Sequence, residues 1–112
     1  MRTPEELVIT QLDYYNKHDL EGFLSVFHDD TKIYNLIDGS LIMEGKEAMR
    51  QRYGERFSHP DLHAEIVNRI IIGNKVIDHE SVTGAGNEKP VQVAAIYEIQ
   101  GDFITTVWFV RE

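Results

Sequence analysis

The side chains with chemistry to offer in this sequence are five histidines, 19 carboxylates and five tyrosines; cysteine is absent. Disulfides, thiolate catalysis and cysteine-ligated metals are therefore excluded. The histidines (His18, His28, His59, His63, His79) show no paired ligand spacing such as His-Glu-x-x-His, so no metal is expected. Gly84-Ala85-Gly86 lacks the spacing of a phosphate loop and the helix that should follow it. Ser81 lacks a nucleophile-elbow context, and no cofactor is expected. What remains is proton transfer. His79 is the leading candidate, because an imidazole in an apolar pocket serves as general base or acid near neutrality. Asn68, Tyr97 and Thr106 are placed to give hydrogen bonds around it. The competing reading is a structural histidine bonded to a neighbouring strand or carboxylate. Tyr15, Tyr34, Tyr53, Tyr97 and Trp108 offer apolar walls with polar tips, or else ordinary core packing. Asn35 either holds a ligand oxygen or caps local backbone.

These residues need elements to position them. Thr3-Pro4-Glu5-Glu6 is a capping box with proline at the first helical position. It predicts a helix to about Lys17. Asp19 caps a second helix, with Leu20, Phe23, Leu24 and Phe27 on one face, and His28-Asp29-Asp30 ends it. Ile33–Ile37 reads as a strand, Asp38-Gly39 as a tight turn and Leu41–Met43 as a short return. Gly45 precedes a third helix, in which Met49, Tyr53 and Phe57 recur every four residues and Arg50, Arg52 and Arg56 form a solvated or partner-facing side. The rest is strand-like: 62–72 and 76–84 joined at Gly73-Asn74, then 91–100 and 103–111 joined at Gly101-Asp102, with a loop at 85–90. Three helices followed by a meander is an α+β pattern.

Two-residue turns at both glycines fix cross-strand partners by counting outward. Asn68 then faces His79, Arg69 faces Asp78, Tyr97 faces Thr106 and Ala95 faces Trp108. The expected cavity face carries Ile66, Asn68, Ile70, Ile77, His79, Ala95, Tyr97, Ile99, Ile104, Thr106, Trp108 and Val110. The expected outer face carries Val67, Arg69, Ile71, Val76, Asp78, Glu80, Ile96, Val107 and Phe109. That second face is too apolar for open water, so it predicts a sheet-to-sheet homodimer. A three-residue first turn would instead bring Asp78 and Glu80 into the cavity.

The run from Tyr14 to Asp30, Gly45-Lys46-Glu47-Ala48-Met49-Arg50, and Val76–Gly84 resemble the nuclear transport factor 2-like superfamily. They are closest to its SnoaL-like and steroid delta-isomerase-like small proteins. The resemblance covers nearly the whole chain and implies one domain over 1–112. It implies a cystatin-like, cone-shaped, curved mixed sheet around three helices, with a pocket at the open end. Its members include isomerases, dehydratases, epoxide hydrolases, cyclases and plain binding domains, so the fold does not select a reaction. Steroid isomerases use an aspartate base with a tyrosine and a protonated aspartic acid as oxyanion donors. Aligned on Asp19-Leu20-Glu21-Gly22, this sequence places Asn35 at the base position, Gln11 at the donor tyrosine and Tyr97 at the acidic donor. An asparagine cannot act as a carboxylate base, so a true steroid isomerase is not expected. The resemblance leaves an acid–base enzyme of isomerase, cyclase or hydrolase type, or a non-catalytic binding or dimerisation module.

At 112 residues, a chain buries about two-thirds of its surface in one core. The net charge of −8 argues against nucleic acid, whose phosphates need a basic surface, and disfavours an anionic ligand. No apolar run approaches a membrane span, and the N-terminus does not read as a secretory signal. A cytoplasmic protein with a small apolar or partly polar ligand is expected.

Overall fold

The structure is a computed structural model and describes residues 2–112. Helix α1 (Pro4–Asn16) starts at the predicted capping box: the Thr3 hydroxyl accepts from the Glu6 amide, and the Glu6 carboxylate accepts from the Thr3 amide. His18 takes a left-handed conformation, φ 57°, which turns the chain into α2 (Leu20–Ser25), capped by the Asp19 carboxylate. This second helix is shorter than the sequence suggested. The chain is already extended at Phe27, so Phe27 and His28-Asp29-Asp30 belong to β1 (Phe27–Asn35). Strand β2 (Leu41–Glu44) returns beside it and leads into α3 (Gly45–Arg56). Four long strands follow: β3 (His63–Ile72), β4 (Lys75–Thr83), β5 (Val91–Gln100) and β6 (Phe103–Arg111).

The strands form one open, curved sheet in the order β2-β1-β6-β5-β4-β3. It is mixed, because β1 runs parallel to β6 while every other pair is antiparallel. The helices pack on one face. Asn16 fastens α1 to β3 by exchanging two hydrogen bonds with the Ala64 backbone (3.0 and 2.8 Å), and His18 Nε2 donates to the Leu62 carbonyl (2.7 Å). Leu7, Val8, Phe23, Leu24, Phe27, Met49 and Ile104 are buried where helices meet sheet. Phe23 anchors this core, with its ring centroid 4.6 Å from Tyr53, 4.9 Å from Phe27 and 5.4 Å from Phe57.

Both hairpins have the predicted two-residue turns, and the pairs Asn68–His79, Arg69–Asp78, Ile70–Ile77 and Ile99–Ile104 are as counted. Two features overturn the predicted faces. In β6 an extra residue, Thr105, bulges out, so Tyr97 opposes Val107 and Ala95 opposes Phe109. The two hairpins also meet in the other phase: Tyr97 lies beside Val76, and Ala95 beside Asp78. That junction is set across the loop after β4, where no tight turn fixes the count. The inner face therefore carries Val76, Asp78, Glu80 and Val82 of β4, with Tyr97 and Ala95 of β5 and Val107, Phe109 and Arg111 of β6. The outer face carries His79, Asn68, Thr106 and Trp108, and Tyr34 of β1 joins it by stacking on Trp108 at 6.2 Å.

Candidate functional site

Between α1, α3 and the concave sheet face lies a cavity of about 320 Å³. Helix α1 contributes Gln11, Leu12 and Tyr15; α3 contributes Arg52, Tyr53 and Arg56. The hairpin of β1 and β2 contributes Asn35, Ile37, Ile42 and Met43, and the long strands contribute Glu80, Val82, Val93, Tyr97, Phe109, Val110 and Arg111. The volume is at the lower end of the range for small-molecule sites, and a mostly apolar lining with a few convergent polar groups is their usual composition.

Glu80 is the central chemical group. Its residue is 8% exposed, on the cavity wall, and Tyr97 Oη donates to its Oε2 at 3.2 Å. Burial, reinforced by the negative charge of Asp78, pushes its carboxyl up to about 7, against the pull of the Tyr97 hydrogen bond and the charges of Arg69 and Arg56. Asp78 sits beneath, 1% exposed and clamped by Arg69 through two hydrogen bonds of 2.7 and 2.9 Å. The predicted Arg69–Asp78 pair thus exists, but on the inner face.

Tyr97 is raised well above the usual phenol range, first by burial and then by the Glu80 charge. Tyr53 is also raised by burial, and so is Tyr15, where Arg56 acts in the opposite direction. All three therefore stay protonated donors near neutrality. Arg56 Nε donates to Tyr15 Oη at 2.8 Å, which leaves the tyrosine's own proton free for another acceptor.

Of the residues singled out in the sequence, the cavity gathers Tyr15, Asn35, Tyr53 and Tyr97. Asn35 also caps local backbone, since its Oδ1 accepts from the Ile37 amide at 2.9 Å. Gln11, Asn35 and Tyr97, the three positions reached by the steroid isomerase alignment, all line the cavity. His79, Asn68, Tyr34, Thr106 and Trp108 do not, because the phase of the hairpin junction and the β6 bulge turn them outward. His79 is exposed, and its Nε2 bonds Gln92 Oε1 at 2.6 Å on the far face.

Arg52, Arg56 and Arg111 were not foreseen, and Glu80 was expected inside only with a three-residue first turn, whereas the turn has two residues and the phase of the hairpin junction brings it in. For α3 the signal was present: Arg56 follows Tyr53 by three residues and Arg52 by four, so all three fall on adjoining helical positions. Arg50 alone points away, to Glu21 and Glu47. In β6, Arg111 continues the alternation of Val107 and Phe109.

No curated protein matches the chain. Its structure is similar to that of an uncharacterised cystatin-fold protein from Novosphingobium aromaticivorans, at 30% identity and a TM-score of 0.88, covering 99% of this chain and 100% of that one. It also resembles a proposed ketosteroid isomerase from Kribbella flavida, at 13% identity and a TM-score of 0.83, covering 97% and 77%. A proposed polyketide cyclase from Sinorhizobium meliloti is similar at 17% identity and a TM-score of 0.77, covering 93% of each chain. The last two likenesses are of fold. The model of the SnoaL-like domain matches residues 8–107. The chain belongs to the SnoaL-like domain family, within the NTF2-like superfamily.

Proposed function

We propose that this protein is an acid–base enzyme acting on a small, largely apolar molecule, with Glu80 as the group that takes and returns a proton. The observation that carries the reading is a cavity-wall carboxyl held near neutrality and hydrogen-bonded to one phenol. A base poised near the working pH is populated in both forms, which general acid–base catalysis needs. Tyr97 steadies the ionised carboxylate, and Tyr15 has a proton to offer an oxygen of the ligand. Proton abstraction beside a carbonyl, as in isomerase or cyclase chemistry, fits this set. The steroid isomerase arrangement does not, because Asn35 stands at its base position.

The test is deuterium incorporation from D2O into a panel of cyclic enones and aryl ketones, followed by NMR. Wild type should catalyse exchange on at least one member, with a rate that rises through pH 7 as Glu80 ionises, and Glu80→Gln should abolish it. Equal exchange by both proteins would remove Glu80 from the chemistry. The Asn35 substitution also motivates a second reading, a non-catalytic binding domain. Tight binding of panel members with no exchange above the solvent rate would select that one.

The same reading takes the protein to be a cytoplasmic single domain over 1–112 and a homodimer through the outer sheet face. The described residues contain no helix long and apolar enough to cross a membrane. The dimer rests on an apolar row across five strands, Ile70–Ile77–Ile96–Trp108–Tyr34. Ile70 is 47% exposed there, and the others are half-buried. Of the apolar outer face predicted from sequence, this row keeps Ile96, while Ile70, Ile77 and Trp108 had been expected on the cavity face.

A further inference from the structure

The cavity has an annex. A second chamber of about 110 Å³ adjoins the first, and four residues, Arg56, Val82, Val93 and Arg111, line both. Its far wall is the loop after β4, at Ala85 and Asn87. That wall is held in place by Asn87, whose Oδ1 accepts from the Ala85 amide while its Nδ2 donates to the carbonyls of Val82 and Lys89. At about 30 Å³ per water, the chamber has room for three or four waters. It is too small for an apolar ligand body and large enough for one polar head group.

Its charge is unlike the rest of the molecule. The chain carries −8 overall, yet three of its six arginines, Arg52, Arg56 and Arg111, line the main cavity. Arg50 and Arg69 have carboxylate partners. Among the described residues, Arg52, Arg56 and Arg111 have none within 4 Å. Among those residues too, Glu80 is the one carboxylate on the wall of either chamber. Arg56 is half-buried, while Arg52 and Arg111 are exposed at the cavity rim; unpaired cations around a concave site focus an attractive field on an anion. The planar guanidinium fork matches a carboxylate in two parallel hydrogen bonds.

We propose that the ligand carries a carboxylate, and that Arg111 and Arg56 hold it at the annex while the apolar body fills the larger chamber. This rests on the reading of the cavity as a small-molecule site. It reverses the preference against anions drawn from net charge, because the field inside the cavity is set by the local arginines. It also constrains the chemistry. Glu80, Val93 and Arg111 are consecutive cross-strand neighbours, so the acid–base carboxyl and the anchoring guanidinium stand about two strand spacings apart, roughly 10 Å between backbones. The reacting carbon then lies several bonds from the carboxylate and is not its immediate neighbour.

The experiment is calorimetric titration of the full chain at pH 8 with three matched pairs: benzoate and benzamide, 2-naphthoate and 2-naphthamide, biphenyl-4-carboxylate and its amide. At least one carboxylate should bind about tenfold more tightly than its amide, the scale of a charge-assisted hydrogen bond. Arg111→Gln should erase that advantage, and Arg111→Lys should restore part of it, with folding checked by circular dichroism. Raising the salt should weaken the carboxylate selectively. Acid and amide binding alike, or Arg111→Gln weakening both equally, would overturn the carboxylate subsite and leave the cavity reading in place. Binding of none of the six at millimolar concentration would overturn both.

Discussion

Replacing Glu80 by glutamine should make the protein more stable at alkaline pH and leave it almost unchanged at acid pH. The carboxyl stands at about 7 in the folded chain against 4.5 when solvated. At 1.36 kcal/mol per pH unit the difference amounts to about 3 kcal/mol. The sign follows from proton counting. Between pH 4.5 and 7 the folded chain keeps a proton that the unfolded chain has lost, so stability falls as pH rises through that window and is level above it. Glutamine has no charge to bury and removes this slope. The difference between variant and wild type should therefore grow from near zero at about pH 4 to about 3 kcal/mol at about pH 8. For a domain of this size that is about 12 °C in Tm. Urea unfolding at a series of pH values from about 4 to about 8 measures it, and subtracting one curve from the other cancels every other titrating group. Curves that stay parallel across the whole range would refute the claim that burial and Asp78 hold the Glu80 proton. The same substitution should end catalysis, so stability gained at the site where function is lost is the specific signature.

Four further outcomes follow from the geometry. Tyr97→Phe removes the hydrogen bond that favours the ionised carboxylate, so Glu80 should titrate higher still, read from its carboxyl 13C shift, and the exchange profile should move alkaline. Asp78→Asn removes the charge that raises Glu80 and should lower its titration, while leaving Arg69 without its partner at a cost of about 2 kcal/mol in urea unfolding. Gly84 has φ +77° and faces the Asp61 carbonyl, so Gly84→Ala meets both backbone strain and a clash; a loss of about 2 kcal/mol or more is expected, and an unchanged Tm would contradict the close approach. Trp108→Glu places a charge in the outer apolar row, and light scattering at micromolar concentration should change from a dimer mass to a monomer mass; a wild-type monomer would sink the homodimer.

The local signals were legible because each is a short-range rule. Thr3 with Glu6, Asp19 with the Gly22 amide, and the two-residue turns at Gly73 and Gly101 each depend on residues close in sequence. The same holds for the Arg69–Asp78 pair, nine residues apart across one turn. The site was not legible in that way, because it depends on a binary choice that local rules do not make. A strand's side chains alternate, so a single residue of phase decides which whole set faces the helices. In β4 the alternatives are Ile77 with His79, or Val76 with Asp78, Glu80 and Val82. By composition alone, the set holding one imidazole reads as the pocket, and the set holding two carboxylates reads as an exterior. The structure inverts this by giving each carboxylate a reason to be inside: Arg69 compensates Asp78, and Glu80 is charged only part of the time near neutrality while Tyr97 satisfies one oxygen. Buried carboxyls are informative because they are costly. Two on alternate positions of one strand, with an arginine opposite one of them, favour the inward phase when the other strand face can be covered by a second copy. The apolar outer row from Ile70 to Tyr34 and the charged cavity wall are thus two consequences of the same choice of phase.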